Sequence, residues 1–347
     1  MKKIYSLLFL ALGLAGFTAC SDDTDNPYAH ESSVSIVSSK TAFTAVGGSG
    51  SIHYTAAGNV SVSSSQAWCT AQLSGDSIIL AVAQNENISG RAANVTLRCG
   101  SDSVKVAVVQ NGVVTEVEKS TIGFADDNAR TERYGLKCDL PLTLVSVPEW
   151  LTASLANDSL YLNVTENTTG HLRSGYVVYQ SGNFKDSLRV CQADFDKDIA
   201  GKYNICYYRD AEKTKSDKLS KRDLTATGLT VNPNLTLPVS YDPSTCSLTV
   251  STGSYLGTYK SNEVYLAFGL PNDYWTGYNT GIDLTCAFEY NDVDGTFLKF
   301  SGTVEGMDVI SFMLRNFKAK NFTQDNDNST NSYVWYAPEL RRVASAN

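Results

Sequence analysis

The run Asn272-Asp273-Tyr274-Trp275-Thr276-Gly277-Tyr278-Asn279 sets three aromatic rings among amides and a carboxylate. Aromatic faces stack on sugar rings, and amide and carboxylate groups match pairs of hydroxyls. Asn272, Asp273, Tyr274, Trp275, Tyr278 and Asn279 are therefore the candidate ligand-binding residues, with capping of the domain end as the competing use of Trp275. Catalytic chemistry has less to work with. The three histidines are His30, His53 and His171. None lies beyond residue 195, so a Ser-His-Asp or Cys-His arrangement cannot be built from the C-terminal part alone. No Walker-type or dinucleotide glycine loop occurs. A glycosidase needs only two carboxylates, and Glu263, Asp273, Asp283, Glu289 and Glu305 are available. Carboxylates are common in an acidic chain, so the expectation is a non-enzymatic protein with no catalytic residue; a glycoside hydrolase is the lesser alternative. Asn291–Gly295 and Asp325–Asn328 are rich enough in oxygen for Ca²⁺ but fit no EF-hand loop. Turn chemistry explains both, and no metal or cofactor is expected.

The net charge of −8 argues against nucleic acid as a partner, which would want a basic face. Met1-Lys2-Lys3 followed by the apolar run from Ile4 to Phe17 has the form of a secretory signal and is too short to span a membrane comfortably. It ends Phe17-Thr18-Ala19-Cys20, which resembles the lipobox of bacterial lipoproteins, although Phe17 stands where Leu is usual. The resemblance implies a signal peptide over 1–19, lipidation of Cys20 and attachment to the outer membrane. The acidic linker 20–32 opens Ser21-Asp22-Asp23, similar to the surface-export signal of Bacteroidetes lipoproteins, and so implies the extracellular side. Seven further cysteines are scattered without CxxC or CxxH spacing. That argues against zinc and for mostly unpaired, buried thiols.

An internal repeat organises the next part. At an offset of 82, residues 68–110 and 150–192 match without a gap at 14 of 43 positions. Trp68, Thr70, Ala71, Leu73, Asp76, Ser77, Leu80 and Val82 recur as Trp150, Thr152, Ala153, Leu155, Asp158, Ser159, Leu162 and Val164. Asn85, Arg91, Val95, Gly100, Val108 and Gln110 recur as Asn167, Arg173, Val177, Gly182, Val190 and Gln192. Ile78, Leu80 and Val82 alternate with period two, as do Leu160, Leu162 and Val164, so each copy is read as short half-buried strands. Strands punctuated by turns every few residues suit a sandwich, with Trp68 and Trp150 expected as anchors between its sheets. The pattern of Trp-Leu-Thr, a Leu-x-Leu-x-Val strand, Asn, Arg, Gly and a closing Val-x-Gln is similar to the BACON domain (Bacteroidetes-associated carbohydrate-binding, often N-terminal). It implies immunoglobulin-like sandwiches over 33–112 and 113–195. Neither copy shows an outward aromatic cluster, so spacer is favoured over lectin for both. Asp-Ser-aliphatic triplets at Asp76, Asp102, Asp158 and Asp186 are similar to the acceptor triplet of bacterial protein O-glycosylation, though Asp and Ser also close turns.

Residues 196–347 do not continue the repeat. Strands are expected near 223–230, 234–240, 246–252, 262–269, 282–291, 296–304, 308–318 and 332–337, with hairpin turns at Asp294-Gly295 and Glu305-Gly306. The charged run 209–222 reads as a solvated loop. The fold class is all-β: two tandem immunoglobulin-like β-sandwiches followed by an antiparallel β-barrel or β-sandwich. Gly201-x-Tyr203 faintly resembles the first strand of lipocalin-like barrels. The function expected is a cell-surface lipoprotein whose C-terminal domain binds a glycan or polysaccharide, with the sandwiches as a stalk. The alternatives are a structural or adhesive protein and a lipocalin-like carrier of a small apolar ligand.

Overall fold

The computed structural model describes residues 32–344. The expected signal segment 1–19, the expected lipidation residue Cys20 and nearly all of the expected linker 20–32 lie outside the described residues. What is described is almost entirely β-structure, and it forms two compact units. Of the described residues, one unit holds 32–41, 49–82 and 93–108; the other holds 42–48, 83–92 and 109–344.

The first repeat forms β1 (Val34–Lys40), β2 (Ala42–Phe43), β3 (Gly48–Ala56), β4 (Val60–Ser64), β5 (Cys69–Ser74), β6 (Ser77–Val82), β7 (Arg91–Cys99) and β8 (Asp102–Gln110). Its sheets run β1-β3-β6-β5 and β2-β8-β7-β4. The period-two residues of β6 and β7, Ile78, Leu80, Val95 and Leu97, are all buried. The second repeat forms β9 (Thr115–Val117), β10 (Thr121–Phe124), β11 (Arg130–Cys138), β12 (Thr143–Ser146), β13 (Leu151–Ala156), β14 (Ser159–Val164), β15 (Arg173–Ser181) and β16 (Phe184–Gln192). Its sheets run β13-β14-β11-β9 and β10-β16-β15-β12, the same order strand for strand. In both copies a short strand, β2 or β10, pairs parallel with the last one. Leu160, Leu162, Val177 and Val190 close the second core. Trp68 and Trp150 are half-buried rather than central between the sheets. Trp150 packs at the margin of its core because the Arg173 guanidinium covers one ring face, 4.5 Å from its centre.

After one π-type turn (Phe195–Ile199) the C-terminal domain forms β17 (Gly201–Tyr208), β18 (Ser216–Leu224), β19 (Gly228–Asn232), β20 (Leu235–Pro238), β21 (Ser240–Asp242), β22 (Ser247–Ser251) and β23 (Tyr255–Tyr259). Then come β24 (Asn262–Gly269), β25 (Asp283–Asn291), β26 (Gly295–Lys299), β27 (Thr303–Val304), β28 (Met307–Asp308), β29 (Ser311–Phe317) and β30 (Asp327–Arg342). One path runs β20-β19-β18-β17-β30-β26-β25-β22-β21. Its ends, β20 and β21, are consecutive in the chain, and the N–H groups of Val239 and Tyr241 donate back to the carbonyls of Thr227 and Ala226 at 3.1 and 3.2 Å. The sheet thus curls into a nearly closed barrel. The first half of β30 pairs instead with β29, which continues through β24 to β23. Ala337, at φ +44°, marks the division between the halves.

Tyr203, Phe268, Phe288, Phe312, Trp335 and Leu340 fill the barrel core with many aliphatic neighbours. The described interior is therefore packed side chains, not the open apolar lumen that a small-ligand carrier needs. The segment 309–317, whose spacing also fits a helix, is strand from 311, because β24 and β30 flank it on both sides. The charged run 209–222 is only partly loop: from Ser216 it pairs with β17, with Asp217, Lys218 and Lys221 exposed and Arg222 half-buried.

The second sandwich and the barrel share one compact unit, and a dense junction joins them. Cys191 and Cys246 form a disulfide, the exception to the expectation of unpaired thiols; Cys69, Cys99, Cys138, Cys206 and Cys286 are free. Arg189, 7% exposed, donates to Glu289 Oε1 (3.0 Å), the Thr245 carbonyl (3.0 Å) and the Phe288 carbonyl (2.5 Å). Arg342 donates to the carbonyls of Lys197, Asp198 and Ala200 and so satisfies the end of the π-type turn.

Candidate carbohydrate-contacting loop

The aromatic run lies in the connection between β24 and β25. Leu270 N–H donates to the Tyr274 carbonyl at 2.8 Å, and Tyr274 N–H donates to the Pro271 carbonyl at 3.3 Å. Between them Asn272 and Asp273 sit at φ +58° and +60°, a left-handed conformation that Asn and Asp tolerate better than other side chains. Trp275 then bridges back antiparallel to Gly269. Thr276 N–H donates to the Phe268 carbonyl at 3.0 Å, and its hydroxyl accepts from the Phe268 N–H at 3.2 Å. The tip is thus a tight turn held to a buried strand at three successive points.

Beneath it, β24 buries both faces. Val264, Leu266 and Phe268 point into the barrel core, while Tyr265 and Ala267 join Phe317 and Phe322 in a second, outer cluster. Trp275 and Tyr278 pack on that outer cluster, their rings edge to face with centres 5.1 Å apart. The guanidinium carbon of Arg315 lies 4.2 Å from the Trp275 ring centre. Asp327 fixes this cation: Arg315 donates to its Oδ2 at 2.5 Å and the Tyr278 hydroxyl donates to the same oxygen at 2.9 Å. Burial by itself pushes the Asp327 carboxyl up, but the Arg315 guanidinium, the Ser329 N–H and the Tyr278 hydroxyl outweigh it and hold the group below its ordinary range. Asp327 therefore remains an anion, and the Arg315–Trp275 stack keeps its anchor.

The six predicted residues accordingly divide. Trp275 and Tyr278 form the base of the loop, half-buried and already engaged. Tyr274 is 65% exposed, and Asn272, Asp273 and Asn279 are exposed as well. The three rings do not form one flat row. What the loop presents is a single open aromatic face with one amide and one carboxylate next to it in a preorganised turn, while Asn279 lies further along, its carbonyl accepting from the Thr252 hydroxyl at 2.7 Å. Sequence reasoning missed Arg315 and Asp327, which lie 40 and 52 residues after Trp275; no local spacing points to them.

Three of the candidate carboxylates are engaged by side chains. Glu263 accepts from the Tyr255 and Thr258 hydroxyls, Asp283 from Ser251, and Glu289 from Ser174 and Arg189. Asp273 stands at the loop tip, and Glu305 occupies the turn between β27 and β28 at φ +52°. Asn291 Oδ1 accepts from the N–H groups of Val293 and Asp294, which is the turn chemistry expected of that segment. No group of three or more His, Cys, Asp or Glu among the described residues is placed to hold a metal ion. Of the Asp-Ser-aliphatic serines, Ser103 and Ser187 are exposed, whereas Ser77 and Ser159 are buried and hydrogen-bonded to His53 and Arg133.

Comparison with known proteins bears on the first repeat. Residues 58–111 match the family model BACON, described as "Putative binding domain, N-terminal". The match spans β4 to the end of β8 and does not extend to the second copy. A search of the curated proteins finds no match. Among solved structures the chain is similar to the I9–I11 tandem of titin, with 9% identity, a TM-score of 0.33 and coverage of 82% of this chain and 95% of that one. It is also similar to a variant of titin domains I67–I69, with 7% identity, a TM-score of 0.26 and coverage of 88% and 97%. An endo-fucoidan hydrolase of glycoside hydrolase family 107 has 10% identity and a TM-score of 0.23, over 44% of this chain and 27% of that chain. Likeness at these scores adds nothing to what the strand order establishes.

Proposed function

We propose that the protein is a non-enzymatic, lipid-anchored surface protein that contacts a glycan through the Tyr274 loop of its C-terminal domain. In this reading Cys20 carries the lipid in the outer membrane, and both sandwiches are BACON modules that serve as spacers. The observation that carries it is the pinned turn: Tyr274 exposes its ring next to Asn272 and Asp273, while Trp275 and Arg315 immobilise the base beneath. A sugar stacked on a preordered ring loses less on binding than one that must order a flexible loop. The Cys191–Cys246 disulfide supports export, because such bonds persist in oxidising compartments.

Affinity electrophoresis of residues 32–347 through gels loaded with plant, host and microbial polysaccharides tests the proposal. Retardation by one polysaccharide class is expected. Tyr274→Ala abolishes it while changing stability by less than about 0.5 kcal/mol, as for an exposed side chain. Trp275→Ala lowers stability by about 2 kcal/mol through loss of packing and of the cation–π contact, and weakens retardation only by loosening the turn. Retardation that survives Tyr274→Ala would remove the loop from the site.

A further inference from the structure

The polar residues shared by the two repeats rebuild closely similar hydrogen-bond sets. Arg91 donates to Gln110 Oε1 at 2.8 Å and to the Ala83 carbonyl at 2.9 Å. Arg173 donates to Gln192 Oε1 at 3.1 Å and to the Thr165 carbonyl. Asn85 donates to the Ser89 carbonyl at 3.0 Å, and its Oδ1 accepts from the Asn87 N–H at 3.3 Å. Asn167 donates to the His171 carbonyl at 2.9 Å, and its Oδ1 accepts from the Thr169 N–H at 3.2 Å. Gln110 and Gln192 donate their amides to the chain entering the module, at Thr44 and Ala45 in one copy and Asp126 and Asn128 in the other. All four amide side chains are buried, so the bonds satisfy groups that water cannot reach. Together they fix one loop per repeat, residues 83–90 and 165–172, where no regular ladder could.

Each fixed loop meets a β-hairpin that follows it in the chain. The Glu86 carbonyl accepts from the Asn183 N–H at 2.9 Å, and Asn183 Nδ2 donates to Asn87 Oδ1 at 3.3 Å, at the β15–β16 turn. Gly182 in that turn, at φ +55°, comes so close that a Cβ would lie 2.9 Å from the Glu86 carbonyl oxygen. In the second copy the His171 ring stacks on Tyr290 at 3.4 Å, Leu172 enters the barrel core, and Ser174 donates to Glu289 at 2.5 Å, at the β25–β26 hairpin. We propose that the Asn-Arg-Gln set is a docking device: it presents one loop of each repeat as the seat for the next hairpin of the same chain. The partner of this surface is thus the protein itself. The Asn-Arg-Gln set within the matched segment 58–111 serves assembly of the chain, independently of any ligand at Tyr274.

Hydrogen exchange on residues 32–347 tests this with two variants. Gly182→Asn keeps a residue that tolerates the left-handed turn but adds the colliding Cβ. At least tenfold faster exchange is expected at the Asn183 and Val113 amides, which bond to the Glu86 and Asn87 carbonyls, with β15 and β16 protection kept. Arg173→Ala releases the second loop, and the Tyr290–Gly295 hairpin is expected to lose protection by a similar factor while β14 and β15 keep theirs. Arg173→Lys, which cannot make the forked contact, falls between. Unchanged exchange at both hairpins, with the loops themselves opened, would overturn the proposal and leave the set as an internal fastener of each sandwich. Loss of protection throughout the second sandwich would overturn it equally.

Discussion

A chain in which Cys191 and Cys246 are both replaced by Ala unfolds at the junction of the second sandwich and the barrel well before the oxidised protein does. The bond closes a separation of 55 residues, for which constraint of the unfolded chain gives about 4 kcal/mol at 25 °C. Both sulfurs are buried in the barrel core cluster, so the substitution also removes packed volume there. Urea titration followed by tyrosine and tryptophan fluorescence measures the shift. Adding a reductant to the wild type reproduces it, and because the other five cysteines among the described residues are free, the same reductant leaves the double variant unchanged. A wild type whose midpoint ignores reductant would show that the junction does not depend on this bond.

Replacing Arg189 by Met has the second large effect. Met keeps most of the volume but leaves the Phe288 and Thr245 carbonyls and the Glu289 carboxylate without their donor. Breaking a buried pair from one side costs several kcal/mol, but the Glu289 side chain is 36% exposed and water partly replaces the guanidinium. The expected loss is about 2–4 kcal/mol, read as a shift of the urea midpoint at constant slope. Adding Glu289→Gln to the variant restores part of it, since the stranded charge disappears. Equal stability of Arg189→Met and wild type would mean that the junction is held by the disulfide and apolar contacts alone. Either large effect also means that residues 196–347 are not expected to be stable when cut from the second sandwich.

Period-two burial made the sandwiches legible. Ile78, Leu80 and Val82 declare one buried face, and the 82-residue repeat carries the same reading to Leu160, Leu162 and Val164. The barrel strands β22, β24 and β25 fell within a residue of expectation, because Asn, Asp and Gly bound them sharply. β18 was missed because its outward residues are Asp, Lys and Arg, which read as loop when the pairing partner is unknown. The half-buried state of Trp150 was hidden for a related reason: the arginine that covers it belongs to another strand. At the loop, composition singles out eight residues, but composition cannot say which ring faces out. That depends on Arg315 and Asp327, brought in by β29 and β30. The disulfide was equally invisible, since Cys191 and Cys246 meet only once two domains have folded.

The measurement that bears most directly on the function is a glycan array probed with residues 32–347, wild type beside Tyr274→Ala. Binding to a defined set of glycans by the wild type, reduced at least tenfold in a variant of unchanged melting temperature, is the predicted result. A tenfold loss corresponds to about 1.4 kcal/mol, the scale of one aromatic contact. An array left dark by the wild type, or lit equally by both proteins, would contradict a glycan site at Tyr274.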